Sequence, residues 1–259
     1  MSVSSEESER LVKSSERVRD LGEVFTPAAT VEEMLNMLPE SMWVVHPSPR
    51  FFEPACGDGN FLVAILSRKL DNVTRAINCG SLPTGDHDDA TLFYALEALA
   101  SIYAVDISVE NIAGGTPGHE VGARSRMLTA FRAWAQSSLN KRLTVRSPEF
   151  RAASWIVEHN LLIGNMLPFD VFGKPTGRDA IPLIEYQFTP ADHSVRLRKT
   201  TLGDVLDGAQ AETAIELSLF APAEPEEFWR GKAVKLADAE RVEAPHLRGP
   251  ARNGHGGRR

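Results

Sequence analysis

The sequence predicts an α/β fold: a mostly parallel, doubly wound sheet with a β-hairpin in the C-terminal half. Three observations carry this. Residues 51–61, FFEPACGDGNF, read as an apolar strand end, a turn restricted to small residues, and the start of a helix. Two further short apolar runs, Ile102-Tyr103-Ala104-Val105-Asp106 and Leu161-Leu162-Ile163-Gly164-Asn165, come after helical stretches and end in polar residues. Strands that alternate with helices build parallel sheets, because the crossover returns the chain to its starting edge. Finally, Ile181–Phe188 and Ser194–Leu202 flank Pro190-Ala191-Asp192, the pattern of two strands joined by a turn.

Each element has a local cause. Residues 1–20 are rich in Ser, Glu and Arg and predict a loosely held helix leading into an α/β domain over 21–244. Thr30 is placed to cap a helix through Val31, Met34, Leu35 and Leu38, with Glu32 and Glu33 in its first turn. Pro47 and Pro49 deliver the chain to a first strand at Arg50–Glu53, and a helix follows from Asn60 to Asp71. Its apolar run, Phe61–Leu66, closes on Arg68 and Lys69. Residues 71–90 read as a polar connection and Leu92–Ala100 as a second apolar helix. Gly114, Gly115, Pro117, Gly118 and Gly122 make 108–122 a loop. A helix over Ala123–Leu139 carries Met127, Leu128, Phe131 and Trp134 on one face, and Trp155-Ile156-Val157 lead to the third strand. A further helix is expected near Leu206–Phe220, and the Gly- and Arg-rich tail 245–259 is expected to be disordered.

A chain of 259 residues, 42% hydrophobic, suffices for one domain with a real core. No run approaches the roughly 18 apolar residues of a membrane span, and the N-terminal stretch lacks an apolar signal segment. Cys56 and Cys79 are too few for a disulfide framework or a zinc site, so a reducing, cytoplasmic setting is expected. A net charge of −7 argues against a surface coated for nucleic acid. Local basic groups remain: Arg124, Arg126 and Arg132; Lys141, Arg142 and Arg146; Arg196, Arg198 and Lys199. The histidines show no H-E-x-x-H pairing and no G-x-S-x-G is present, so metallohydrolase and α/β-hydrolase classes lack support.

The glycine loop holds the chemistry. Gly57 and Gly59 let backbone approach a ligand where a Cβ would collide. The loop lacks the Lys-Ser/Thr of phosphate-cradling loops, and an apolar run follows Gly59 where a dinucleotide fingerprint needs Gly or Ala.

The string EPACGDGNF resembles the S-adenosylmethionine-binding motif of the restriction-modification type DNA adenine-N6 methyltransferases. Upstream, Gly22-Glu23-Val24-Phe25-Thr26-Pro27 resembles the G-x-F-T-P element of the same family. The resemblance implies a Rossmann-like methyltransferase fold, S-adenosylmethionine as cofactor and DNA as partner. It puts Glu53, Pro54, Ala55, Cys56, Gly57, Asp58, Gly59 and Asn60 beneath the methionine and ribose, with Phe25, Thr26 and Pro27 closing over the methionine end. Backbone groups of Gly57 and Gly59 would bond the cofactor, and Cys56 would serve packing. Asp106 would take the ribose hydroxyls, Ile107 would lie on the adenine, and Asn165 would replace the acid that holds the adenine amino group. The family's catalytic tetrad, Asn/Asp/Ser-Pro-Pro-aromatic, is not found. The nearest strings offer Asn165, Pro168 and Phe169, or Glu185 and Tyr186. Two expectations therefore stand: a DNA adenine-N6 methyltransferase, or a cofactor-binding subunit whose partner supplies DNA recognition and catalysis. Methyl transfer to RNA or protein is a third.

Overall fold

The middle strand sets the layering. In the computed structural model, which describes residues 26–82, 87–116, 120–208 and 234–235, β2 (Ile102–Asp106) is buried at every position. It lies in parallel between β1 (Phe51–Glu53) and β3 (Leu161–Ile163), with Phe51 opposite Ile102 and Ala104 opposite Leu161. A parallel strand buried on both faces must be apolar throughout, which is how IYAV reads.

The two faces meet different partners. Ile102, Ala104 and Leu161 join one core with α2 (Asn60–Asn78), α3 (His87–Ala100), α5 (Ala123–Leu139) and α6 (Pro148–Asn160), whose Leu66, Leu96, Phe131 and Ile156 are buried there. Tyr103, Val105 and Leu162 form a second cluster with Ile181, Leu183 and Leu202. The latter residues belong to or border a hairpin of β4 (Pro182–Thr189) and β5 (Ser194–Thr201), extended by β6 (Val234–Lys235). The sequence predicted helices on both faces. The described residues form two separate sheets of three strands, one parallel and one antiparallel; the hairpin and the helical stretch 202–208 pack on the second face, and the parallel sheet is small.

Buried polar groups fasten the hairpin. Tyr103 Oη donates to the Ile184 carbonyl at 2.8 Å, and Tyr186 Oη donates to Asn160 Oδ1 at 2.9 Å. Asn160 Nδ2 in turn donates to the carbonyls of Ala100 and Ile102. Burial pushes both phenols up, so they remain protonated donors. Arg50 and Arg198 clasp the buried Glu185 carboxylate at 2.9 and 2.6 Å.

Several element boundaries differ from the sequence expectation. The first helix, α1 (Ala28–Asn36), starts after Pro27, so Thr30 lies inside it and caps nothing. α2 continues past Asp71 to Asn78 because Val73 and Ile77 extend the stripe of Leu66 and Leu70. α3 begins at His87, within the expected connection. A short helix, α4 (Val109–Ala113), forms in the expected loop, where the Ser108 side chain accepts from the Asn111 N–H. Trp155-Ile156-Val157 belong to α6, which Pro148 opens at its first position. The expected helix at 1–20 and the basic tail 245–259 lie outside the described residues. No helix among the described residues is long and apolar enough to cross a membrane.

Leu66 and Tyr103 test the two layers separately. Leu66→Ala removes a fully buried side chain and should cost about 2–5 kcal/mol. Tyr103→Phe removes only the bond to Ile184 and should cost about 1 kcal/mol. Urea denaturation midpoints of the two variants check both.

Candidate functional site

The glycine loop leaves the carboxyl end of β1 and turns back into α2. Gly57 and Gly59 both adopt left-handed backbone, with φ of 55° and 94°. A Cβ on Gly59 would sit 3.1 Å from the Ala123 Cβ, so that glycine brings α5 onto the loop. The loop satisfies its own donors: Cys56 N–H goes to the Val105 carbonyl, Gly57 N–H to Asp106 Oδ2 at 2.8 Å, and Gly59 N–H to the Cys56 carbonyl. The N–H groups of Gly57 and Gly59 are therefore committed within the chain.

Asp106 is the hub of this edge. Its Oδ2 accepts from Gly57, and its Oδ1 accepts from the Ser108 N–H at 2.8 Å and from Asn111 Nδ2 at 3.3 Å. A carboxylate has about four lone-pair sites, so these three bonds leave one for a further donor such as a hydroxyl. The Asp106 carbonyl also accepts from Gly164 N–H at 3.0 Å, which brings the start of the third loop alongside. A glycine suits the close packing there, since a Cβ would lie 3.0 Å from Ile181 Cδ1, the far end of that side chain. Asn165 follows, with its Oδ1 accepting from Leu167 N–H at 3.0 Å.

Thr26 arrives from the other side. Its carbonyl accepts from Asn60 Nδ2 at 3.1 Å, so the two elements that are far apart in sequence meet at the start of α2. Phe25 lies outside the described residues. Arg126 of α5 locks the arrangement. It donates to the Asp58 carbonyl and to Asn60 Oδ1, and its guanidinium pairs with the Asp58 carboxylate at 2.8 Å. Glu53 turns inward on its own loop, accepting from the Ala55 N–H at 3.2 Å. Cys56 is buried; burial first, and then the charges of Asp106 and Glu53, push its thiol far above the usual range, so it stays protonated and packs. Ile107 and Ile163 leave 58% and 45% of their surfaces exposed beside this edge, which gives a flat ring something apolar to lie on.

The weaker catalytic candidates divide. Asn165, Pro168 and Phe169 lie on the loop after β3, at the glycine-loop end of the sheet, and Phe169 is exposed. Glu185 and Tyr186 are not brought there. Tyr186 lines a cleft with Arg50, Ser101 and Tyr103 at the opposite end of the strands, Glu185 pairs with Arg50 and Arg198, and both are engaged by the buried bonds that fasten the hairpin.

Several of the basic groups are engaged within the fold, while Arg142, Arg146, Arg196 and Lys199 are exposed. Arg124 donates to the carbonyls of Leu161 and Glu158, Arg132 stacks over Phe150, Lys141 pairs with Glu149, and Arg198 with Glu185. Arg126 was named from the sequence only within a local basic group, and its place at the loop was missed because R-x-R on a helix reads as a solvated basic face. No three His, Cys, Asp or Glu side chains converge among the described residues as a metal ion would need.

Comparisons with protein-family models, with curated proteins and with solved structures find no match. The geometry and the sequence motifs alone therefore carry the functional reading.

Gly59→Ala tests the loop. An L-residue at this backbone angle costs about 1–2 kcal/mol, and the added methyl also meets Ala123. The melting temperature should fall, and the loss should shrink if Ala123→Gly is added.

Proposed function

We propose that the chain binds S-adenosylmethionine at the glycine-loop edge and transfers its methyl group to adenine N6 in DNA. One observation supports this most: four separated motifs, Thr26-Pro27, Glu53–Asn60, Asp106-Ile107 and Gly164-Asn165, converge through direct hydrogen bonds at one end of a parallel sheet. Ligands of open α/β sheets bind outside the carboxyl ends of the strands, where these residues stand. The donor set fits the cofactor's parts. The Asp106 carboxylate keeps a lone-pair site for a ribose hydroxyl, the exposed face of Ile107 suits adenine, and Asn165 offers an amide for the adenine amino group. S-adenosylmethionine, when bound, supplies an electrophilic methyl carbon. The chain's part is to hold that carbon facing the acceptor nitrogen and to keep the loop rigid through Arg126.

A second reading rests on its own observation. Glu185 and Tyr186 are committed to the hairpin at the far end of the strands, and most of the named basic side chains bond within the fold. In this reading the chain binds the cofactor, and a partner subunit supplies the acceptor site and the grip on DNA.

Radiolabelled S-adenosylmethionine incubated with the pure chain and unmethylated DNA separates the two. N6-methyladenine in the product supports the enzyme, and binding without transfer supports the partner-dependent subunit. Asp58→Ala and Asp106→Ala should each weaken cofactor binding by about 10-fold or more, the worth of a charged hydrogen bond. Calorimetric titration gives the affinities, and thermal melts show that the variants remain folded. Unchanged affinity in both would remove the cofactor assignment.

A further inference from the structure

The end of the sheet away from the glycine loop holds a second polar cluster in a cleft of about 350 Å³. Behind Ser48, which lines it, lies Lys69 of α2. The helix stripe of Leu62, Leu66 and Leu70 points into the core, and Lys69 is carried in beside it, 2% exposed. Its Nζ lies 2.8 Å from Ser48 Oγ and 2.7 Å from the Pro49 carbonyl, with the ring of Phe51 beneath. No carboxylate among the described residues forms an ion pair with it. Ser48 is half-buried and lines the cleft; its hydroxyl lies 3.3 Å from Ser101 Oγ, another lining residue. Across the opening, Glu97 of α3 accepts from the Ser48 N–H at 3.1 Å and holds His46 Nδ1 at 2.8 Å.

A hydroxyl in a cleft with a buried amine at hydrogen-bond distance is the arrangement of an activated nucleophile. We propose that Ser48 and Lys69 form an acyl-transfer site, separate from the glycine loop, that accepts small activated esters or thioesters. Ser48 Oγ bonds to the acyl carbon as its proton passes to Lys69 Nζ. The bond to the leaving oxygen or sulfur breaks, and solvent water protonates that atom. The hydroxide so formed releases the acid as Lys69 returns its proton to the departing Ser48 Oγ, 2.8 Å away. Arg50 and Gln187 line the cleft as donors for the oxygen that gains charge.

The electrostatics agree with that role. Burial lowers the Lys69 ammonium to about 7, partly opposed by the charge of Glu97. Glu97 is itself shifted upward by burial, against the bonds from His46 and Ser48. Lys69 is therefore a neutral base above about pH 7 and a blocked ammonium below it.

The test uses the full chain and an alkyl fluorophosphonate, a probe that reacts with activated serines, followed by peptide mass spectrometry. Phosphonylation is expected at Ser48 in preference to Ser101. Its rate should rise about 10-fold from pH 6 to pH 8, following the neutral fraction of a base titrating near 7. Ser48→Ala should abolish the adduct, and Lys69→Arg, which keeps a donor for the Pro49 carbonyl but cannot act as a base, should slow it at least 100-fold. No Ser48 adduct, or a rate flat between pH 6 and pH 8 in the unmodified chain, would reduce Lys69 to a staple for the 46–50 segment and overturn the proposal. Neither result depends on S-adenosylmethionine, so this site and the glycine-loop reading stand or fall separately.

Discussion

Both faces of β2 must be kept from water, and that demand arranges the rest of the chain. Five consecutive buried residues leave no side of the strand to solvent. Hairpins, helices and caps can be exchanged among folds, but a parallel strand of this composition is stable only between two layers. Here the helices supply one layer and the β4–β5 hairpin supplies the other, fastened by the hydroxyls of Tyr103 and Tyr186. The hairpin thus acts as structural cover before it can be considered for anything else.

Polar groups gather where the strand emerges from this sandwich. At the carboxyl end they organise around Asp106, whose carboxylate ties the first loop to the segment after its own strand. At the amino end they organise around Lys69 and Glu97, which hold the segment entering β1. In both places a charge is retained in a poorly hydrated position because neighbouring donors or acceptors offset its desolvation. Such sites are costly in stability, and chemistry is a common reason for keeping them.

The sequence made some of this legible and hid the rest for identifiable reasons. FFEPACGDGNF announced its strand, turn and helix because glycines and an apolar run are local signals. IYAVD and LLIGN did the same. Trp155-Ile156-Val157 read only as a lead-in to the third strand, and Ser147-Pro148 was the local mark of the helix that contains them. The run through Asp71 read as a connection because its polar residues outnumber Val73 and Ile77, although those two alone continue the buried stripe. The hairpin strands were read from their own runs, but their place opposite the helices was not, because that is a matter of packing between faces. Lys69 was hidden similarly: a lysine closing an apolar run looks like a solvated helix end until the 46–50 segment folds over it. Arg126 looked like surface charge until Asp58 and Asn60 met it.

The separation of the two polar clusters has a consequence for how such a chain diversifies. Between Ser101 and Asp106 runs a single apolar strand, and at roughly 3.3 Å per residue the clusters stand on the order of 15 Å apart with nonpolar packing between them. Substitutions at that distance with no shared partners act almost independently. Selection can therefore erode one end of the strand, or refine it, while leaving the other untouched. A lineage that lost its need for one ligand would keep a fully folded chain, ready for a new task at the remaining end.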